Sequence, residues 1–92
     1  MTYDGPLSVL CDQHAIPILL FVEGREVCTK SDVYRNIGHH SNMPRKLESL
    51  VNSGLIEIEL KGDGRTTMVL LTDMGGRVVK LLHDIESILS GQ

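Results

Sequence analysis

The stretch TKSDVYRNIGHHSNMPRKLESLVNSGLIEIEL, residues 29–60, contains two helices and a strand in close succession. Thr29 is a good N-cap, and Asp32 lies three residues on, where its carboxylate can reach back to the cap. Val33, Tyr34 and Ile37 follow at helical spacing and Gly38 stops the run, which predicts a helix of about two turns. The next helix starts at His40, Ser41 or Asn42. Ser41 and Asn42 are both competent caps, and Pro44 then falls in the first turn, where its missing N–H costs nothing. Leu47, Leu50 and Val51 supply the buried face, and Gly54 closes the helix with Leu55 tucked back. IEIEL, residues 56–60, alternates strictly, so Ile56, Ile58 and Leu60 are expected to face in and Glu57 and Glu59 out.

Beyond this stretch, KGDGR is a Gly-rich reversal and TTMVLLT a second strand, giving a β-hairpin whose tip carries Lys61 and Arg65. Thr72 caps a last helix running from Asp73 to about Leu89. On it Met74, Val78, Leu81, Ile85 and Ile88 recur in steps of four and three, flanked by Val79, Leu82 and Leu89. Upstream, LSVLC (7–11) and AIPILLFV (15–22) form an apolar segment. It reads either as one helix broken or kinked near Pro17, or as two helices with Asp12 capping the second. This segment is apolar nearly all round, so it should be buried on more than one side. Residues 25–28 look like a short strand.

Ninety-two residues with 41% apolar content make one small domain, residues 1–92, with a single core. Tyr3, Tyr34 and Phe21 are the only aromatics, so Leu, Ile, Val and Met must build that core. The stacking surfaces of single-strand binders are missing. Net charge is −3, yet residues 25–46 carry Arg25, Lys30, Arg35, Arg45 and Lys46 against Glu26 and Asp32. The positive excess is confined to that block. A solvated face and a polyanion-binding face are both consistent with it.

The element order is helix, short strand, helix, tight turn, helix, hairpin, helix. Residues 31–79 resemble the α+β winged helix-turn-helix fold of bacterial and archaeal transcription regulators: a three-helix core, a β-hairpin wing and here a C-terminal helix. Leu47, Leu50, Gly54, Leu55 and Ile56 resemble that superfamily's recognition-helix ending, and Leu71, Thr72 and Gly75 its wing-to-helix junction. VLCDQHAIPILLFVEG (9–24) resembles the opening helix of MarR-like and HxlR-type regulators, without the Trp and Cys-Pro pair usual in the latter.

The resemblance implies double-stranded DNA as a partner, with a recognition helix over about 41–53 in the major groove and the wing, 61–66, on backbone or minor groove. Ser41, Asn42, Met43, Arg45, Lys46 and Ser49 would face base edges. Asn suits adenine, Arg or Lys suits guanine, and Met suits the thymine methyl. Met43 is equally suited to the core. Lys61 and Arg65 on the wing, Thr29 and Lys30 at the start of the supporting helix, and His40 at the turn would contact phosphate. A histidine titrating near neutrality there would make binding pH-dependent. The alternative is a winged-helix protein-interaction module without DNA binding.

Leu19 and Leu20 of the opening helix, with Met74, Val78, Leu81, Ile85 and Ile88 of the 73–90 helix, are the expected homodimer interface. An intrachain seam, in which the last helix packs on its own core, is the other reading. Relatives of this kind often hold a small-molecule effector at such an interface, and nothing in the sequence identifies one here.

His14, His39, His40 and His83, with Cys11 and Cys28, lack metal-ligand spacing, so no metal or cofactor is expected. Glu57 and Glu59 sit on an outward strand face rather than in a catalytic pair. No nucleophile–base set or phosphate-cradling loop is present, and no enzymatic activity is expected. The longest apolar run has eight residues, too short to span a membrane. With no leader sequence, a reduced, cytoplasmic setting is expected.

Overall fold

The computed structural model describes residues 4–38 and 41–91. Pro6–Cys11 is a 3-10 helix. It is followed by α1 (Ala15–Glu23), α2 (Lys30–Asn36), α3 (Met43–Asn52), strands β1 (Ile56–Leu60) and β2 (Thr67–Leu71), and α4 (Asp73–Leu89).

The opening segment is two helices, but the residue at the N-cap of α1 is His14, and Asp12 ends the 3-10 helix instead of capping α1. The Asp12 carboxylate accepts a hydrogen bond from the His14 backbone N–H at 2.8 Å. Pro17 falls in the first turn of α1, where no intrahelical partner is needed. α1 buries Ala15, Ile18, Leu19 and Val22, and packs Leu20 and Phe21 partly against the same core.

α2 begins with the full capping box. The Thr29 hydroxyl accepts from Asp32 N–H at 3.1 Å, and Asp32 Oδ2 accepts from Thr29 N–H at 3.0 Å. The expected strand over 25–28 is reduced to a single bridge, Thr29 with Met68, plus Val69 N–H donating to the Cys28 carbonyl at 2.8 Å. Thr29 must turn the chain into α2, which ends the ladder after one pair.

α3 ends in a Schellman motif. Leu55 N–H donates to the Leu50 carbonyl at 3.1 Å and Gly54 N–H to Val51 at 3.0 Å, with Gly54 at φ +80°. β1 and β2 pair antiparallel, from Ile56 opposite Leu71 to Leu60 opposite Thr67. Ile56 is buried, Ile58 half-buried and Glu57 and Glu59 exposed. Leu60 was expected to face in. It is 65% exposed, because the strand has by then passed the edge of the core.

Thr72 joins three elements. Its hydroxyl donates to the Gly54 carbonyl and accepts from Gly75 N–H at 2.9 Å, while its own N–H donates to Leu55 at 3.2 Å. The end of α3 and the start of α4 are thereby fixed together.

Two assignments from the sequence change here. Leu19 is fully buried in the protein's own core, so it has no surface to offer a second chain. On α4 only Gly75 and Val79 are buried, with Val78 and Leu82 partly packed, whereas Met74, Leu81, Ile85 and Ile88 are at least half exposed. The seam thus divides, its N-terminal half partly intrachain and its C-terminal half projecting. Leu20 is half-buried at the edge of a groove lined by Ile16, Leu82, Ile85 and Leu89.

Candidate nucleic-acid interface

α3 is anchored by Met43, Leu47 and Leu50, all essentially inaccessible. Met43 therefore belongs to the core and leaves the set of base-facing residues. Its place one turn before Leu47 continues the apolar stripe. The opposite side of the helix carries Ser41 and Asn42 at its entry, then Arg45, Glu48, Ser49 and Asn52, all exposed. Arg45, Glu48, Ser49, Asn52 and Ser53 line one shallow groove. Glu48 and Asn52 are additions to the expected set. Their spacing of three and seven from Arg45 was the signal.

Lys46 is placed differently from Arg45. Its ammonium donates to both oxygens of Asp12 at 2.8 Å, and its side chain is only 16% exposed. That lysine holds the Asp12 carboxyl below its ordinary value, and the hydrogen bond from the His14 backbone adds to the effect. Lys30, Arg45 and Arg65 make no side-chain hydrogen bond or ion pair among the described residues.

The wing tip is ordered by one carboxylate. Asp63 Oδ1 accepts from the backbone N–H groups of Arg65 and Thr66, both at 2.9 Å, and Oδ2 accepts from the Thr66 hydroxyl at 2.8 Å. These bonds, the Thr66 N–H first, lower its pKa to about 2. Lys61 and Arg65 project from this turn, and both are exposed. Arg65 also lines a groove of about 490 Å³ with Thr29, Lys30, Ser31, Tyr34, Thr66 and Thr67. The structure thus brings the start of α2 and the wing to one cleft, a juxtaposition of the two phosphate-contacting sets expected from the sequence. His40, with His39, lies outside the described residues.

Comparison with solved structures finds the same chain trace. The protein superposes on a transcriptional regulator homologue from Pyrococcus horikoshii OT3 with TM-score 0.76 and 21% identity, over 91% of this chain and 87% of that one. The fold is the winged helix-turn-helix. A MarR-like transcription regulator of Bacillus cereus ATCC 10987 gives TM-score 0.74 at 19% identity, over 89% of this chain and 61% of that one. A protein of Archaeoglobus fulgidus gives 0.76 at 20% identity, over 96% of this chain and all of that one. No protein-family model and no curated protein matches the chain. In winged-helix terms α2 and α3 form the helix-turn-helix, and β1 and β2 form the wing.

Among the described residues, no group of three or more His, Cys, Asp or Glu side chains stands close enough to hold a metal. Also among them, no helix is long and apolar enough to cross a membrane.

Proposed function

We propose that this protein binds double-stranded DNA sequence-specifically as a homodimer and regulates transcription in the cytoplasm. The supporting observation is the division of α3: Met43, Leu47 and Leu50 fix one side in the core, and the other side presents Asn42, Arg45, Glu48, Ser49 and Asn52 to solvent. A polar helix face held rigidly on a core suits insertion into a major groove. Asn42 has the donor–acceptor pair that reads adenine and Arg45 the two donors that read guanine, and Ser41 and Ser49 offer hydroxyls. Thr29, Lys30, Lys61 and Arg65 contact phosphate and fix the register. Lys46 lends its charge only if it leaves Asp12.

The dimer reading rests on α4, whose Leu81, Ile85, Ile88 and Leu89 are half or more exposed. Two copies joined through these residues, Met74, Val78 and the groove edge at Leu20, would set two recognition helices about 34 Å apart on a near-palindromic site. A sedimentation mass equal to one chain at micromolar concentration contradicts this arrangement.

The pairing of Lys46 favours a second reading, a protein-interaction module, since it leaves Arg45 as the one unpaired cation on α3 among the described residues. Titration of duplex DNA with the protein and with Arg45→Glu separates the two. Loss of binding in a variant that melts like the parent supports DNA recognition through α3, and equal binding by both removes it.

A further inference from the structure

Asp12 and Lys46 are 34 residues apart in sequence, and their pairing is the one long-range ion pair that reaches the recognition helix among the described residues. Within the pair the two partners are unequally placed. The lysine is 16% exposed and the carboxylate 40%. What solvent meets on this flank of α3 is therefore mainly the acid. Both side chains line a narrow crevice shared by Val9, Ala15, Ser49 and Leu50. A phosphate approaching this flank meets a neutralised pair, with the carboxylate the more exposed partner, where the sequence places a free positive charge. Solvent reaches the carboxylate half of the pair and screens it, and the flexible four-carbon lysine stem can swing outward.

We propose that Lys46 is a phosphate contact held in reserve, and that Asp12 is the residue that withholds it. Asp12 thereby limits the electrostatic part of DNA affinity and shifts the burden of binding onto Arg45 and the polar face of α3. This inference rests on the DNA-binding reading and specifies how its electrostatic part is controlled. Asp12 also sits in the turn between the 3-10 helix and α1, where its Oδ1 holds the His14 N–H. Displacement of that turn would release Lys46 and tighten binding.

The test is binding of the full chain to a random-sequence 20-base-pair duplex at several salt concentrations. Asp12→Asn keeps an oxygen for the His14 N–H and removes the charge. Its affinity should rise above that of the parent, and the slope of log affinity against log salt should steepen by about 0.9, the value for one more phosphate contact. The gain should then be roughly threefold larger at 50 mM than at 200 mM salt. Asp12→Ser, which can also accept from the turn, should behave alike if Asp12→Asn folds poorly. The double variant Asp12→Asn, Lys46→Gln should lose the gain. Asp84→Asn makes the same charge change on exposed α4 and should leave the slope unchanged.

An unchanged slope in both Asp12 variants, or an equal gain from Asp84→Asn, overturns the inference while leaving DNA binding intact. Absence of duplex binding by the parent and every variant at 50 mM salt overturns the DNA-binding reading, and the inference with it.

Discussion

A β-carbon on Gly75 would overlap the carbonyl oxygen of Leu55, with Leu71 Cδ2 a further 3.1 Å contact. The first turn of α4 lies directly on the chain leaving α3, and only glycine permits that approach. Gly75→Ala should therefore cost about 1–3 kcal/mol in urea unfolding, as overpacking does. Gly76, the next residue, has nothing within 4 Å of the added carbon. Gly76→Ala should stabilise by about 0.5–1 kcal/mol through helix propensity alone. Equal effects of the two substitutions would show that the contact with Leu55 is not tight.

His83 ties α4 to the end of α1. Its Nε2 lies 3.1 Å from Glu23 and its Nδ1 3.4 Å from Glu86. Glu23 first, then Glu86, raises the imidazole pKa above its ordinary value. A raised folded-state value means the stabilisation is complete below the unfolded pKa, near 6.5, and disappears as pH climbs through the folded one. In an NMR titration the His83 midpoint should fall in Glu23→Gln. The stability difference between the parent and His83→Gln should be larger at pH 5.5 than at pH 8.5. A midpoint that Glu23→Gln leaves in place would show that the pair does not form in solution.

The wing tip depends on Asp63, whose pKa is lowered to about 2 by the N–H groups of Thr66 and Arg65 and the Thr66 hydroxyl. A depressed value means the turn is held fully above the ordinary carboxyl range, near pH 4, and loosens as pH falls through about 2. At neutral pH, Asp63→Ala should speed hydrogen exchange at the Arg65 and Thr66 amides without affecting the amides of α1. It should also weaken duplex binding by misplacing Arg65. Unchanged exchange at those two amides would mean that the hairpin register alone orders the tip.

Projection of the C-terminal half of α4 predicts that association runs through it. Ile85 is 50% exposed and lines the groove with Ile16 and Leu20. Ile85→Glu should lower the sedimentation mass toward one chain while leaving the melting of dilute protein almost unchanged. A mass unaffected by Ile85→Glu would move the interface elsewhere.

What could be read from the sequence was what neighbours in the chain decide. The Thr29–Asp32 capping box, the Thr72 cap, the stop at Gly54 and the alternation of Ile56, Glu57, Ile58 and Glu59 each involve residues within a turn of one another. They fix the order of elements, and with it the fold. Met43 was legible in part, since the step of four to Leu47 continues the core stripe. The Lys46–Asp12 pair was not, because nothing local to PRKLES marks which basic side chain meets an acid 34 positions away. The short strand at 25–28 failed for a similar reason: its apolar residues suit a ladder, but the obligation of Thr29 to cap α2 ends the pairing. Leu19 was misread because an all-round apolar helix does not reveal which of its sides meets its own core.

The central claim is that the outer face of α3 reads base pairs. Selection of bound sequences from a pool of random duplex DNA, at 50 and 200 mM salt, tests it most directly. Enrichment of a near-palindromic motif at both concentrations, with half-sites about one helical turn apart, is the predicted result. Recovery of no enriched motif at either concentration would contradict it.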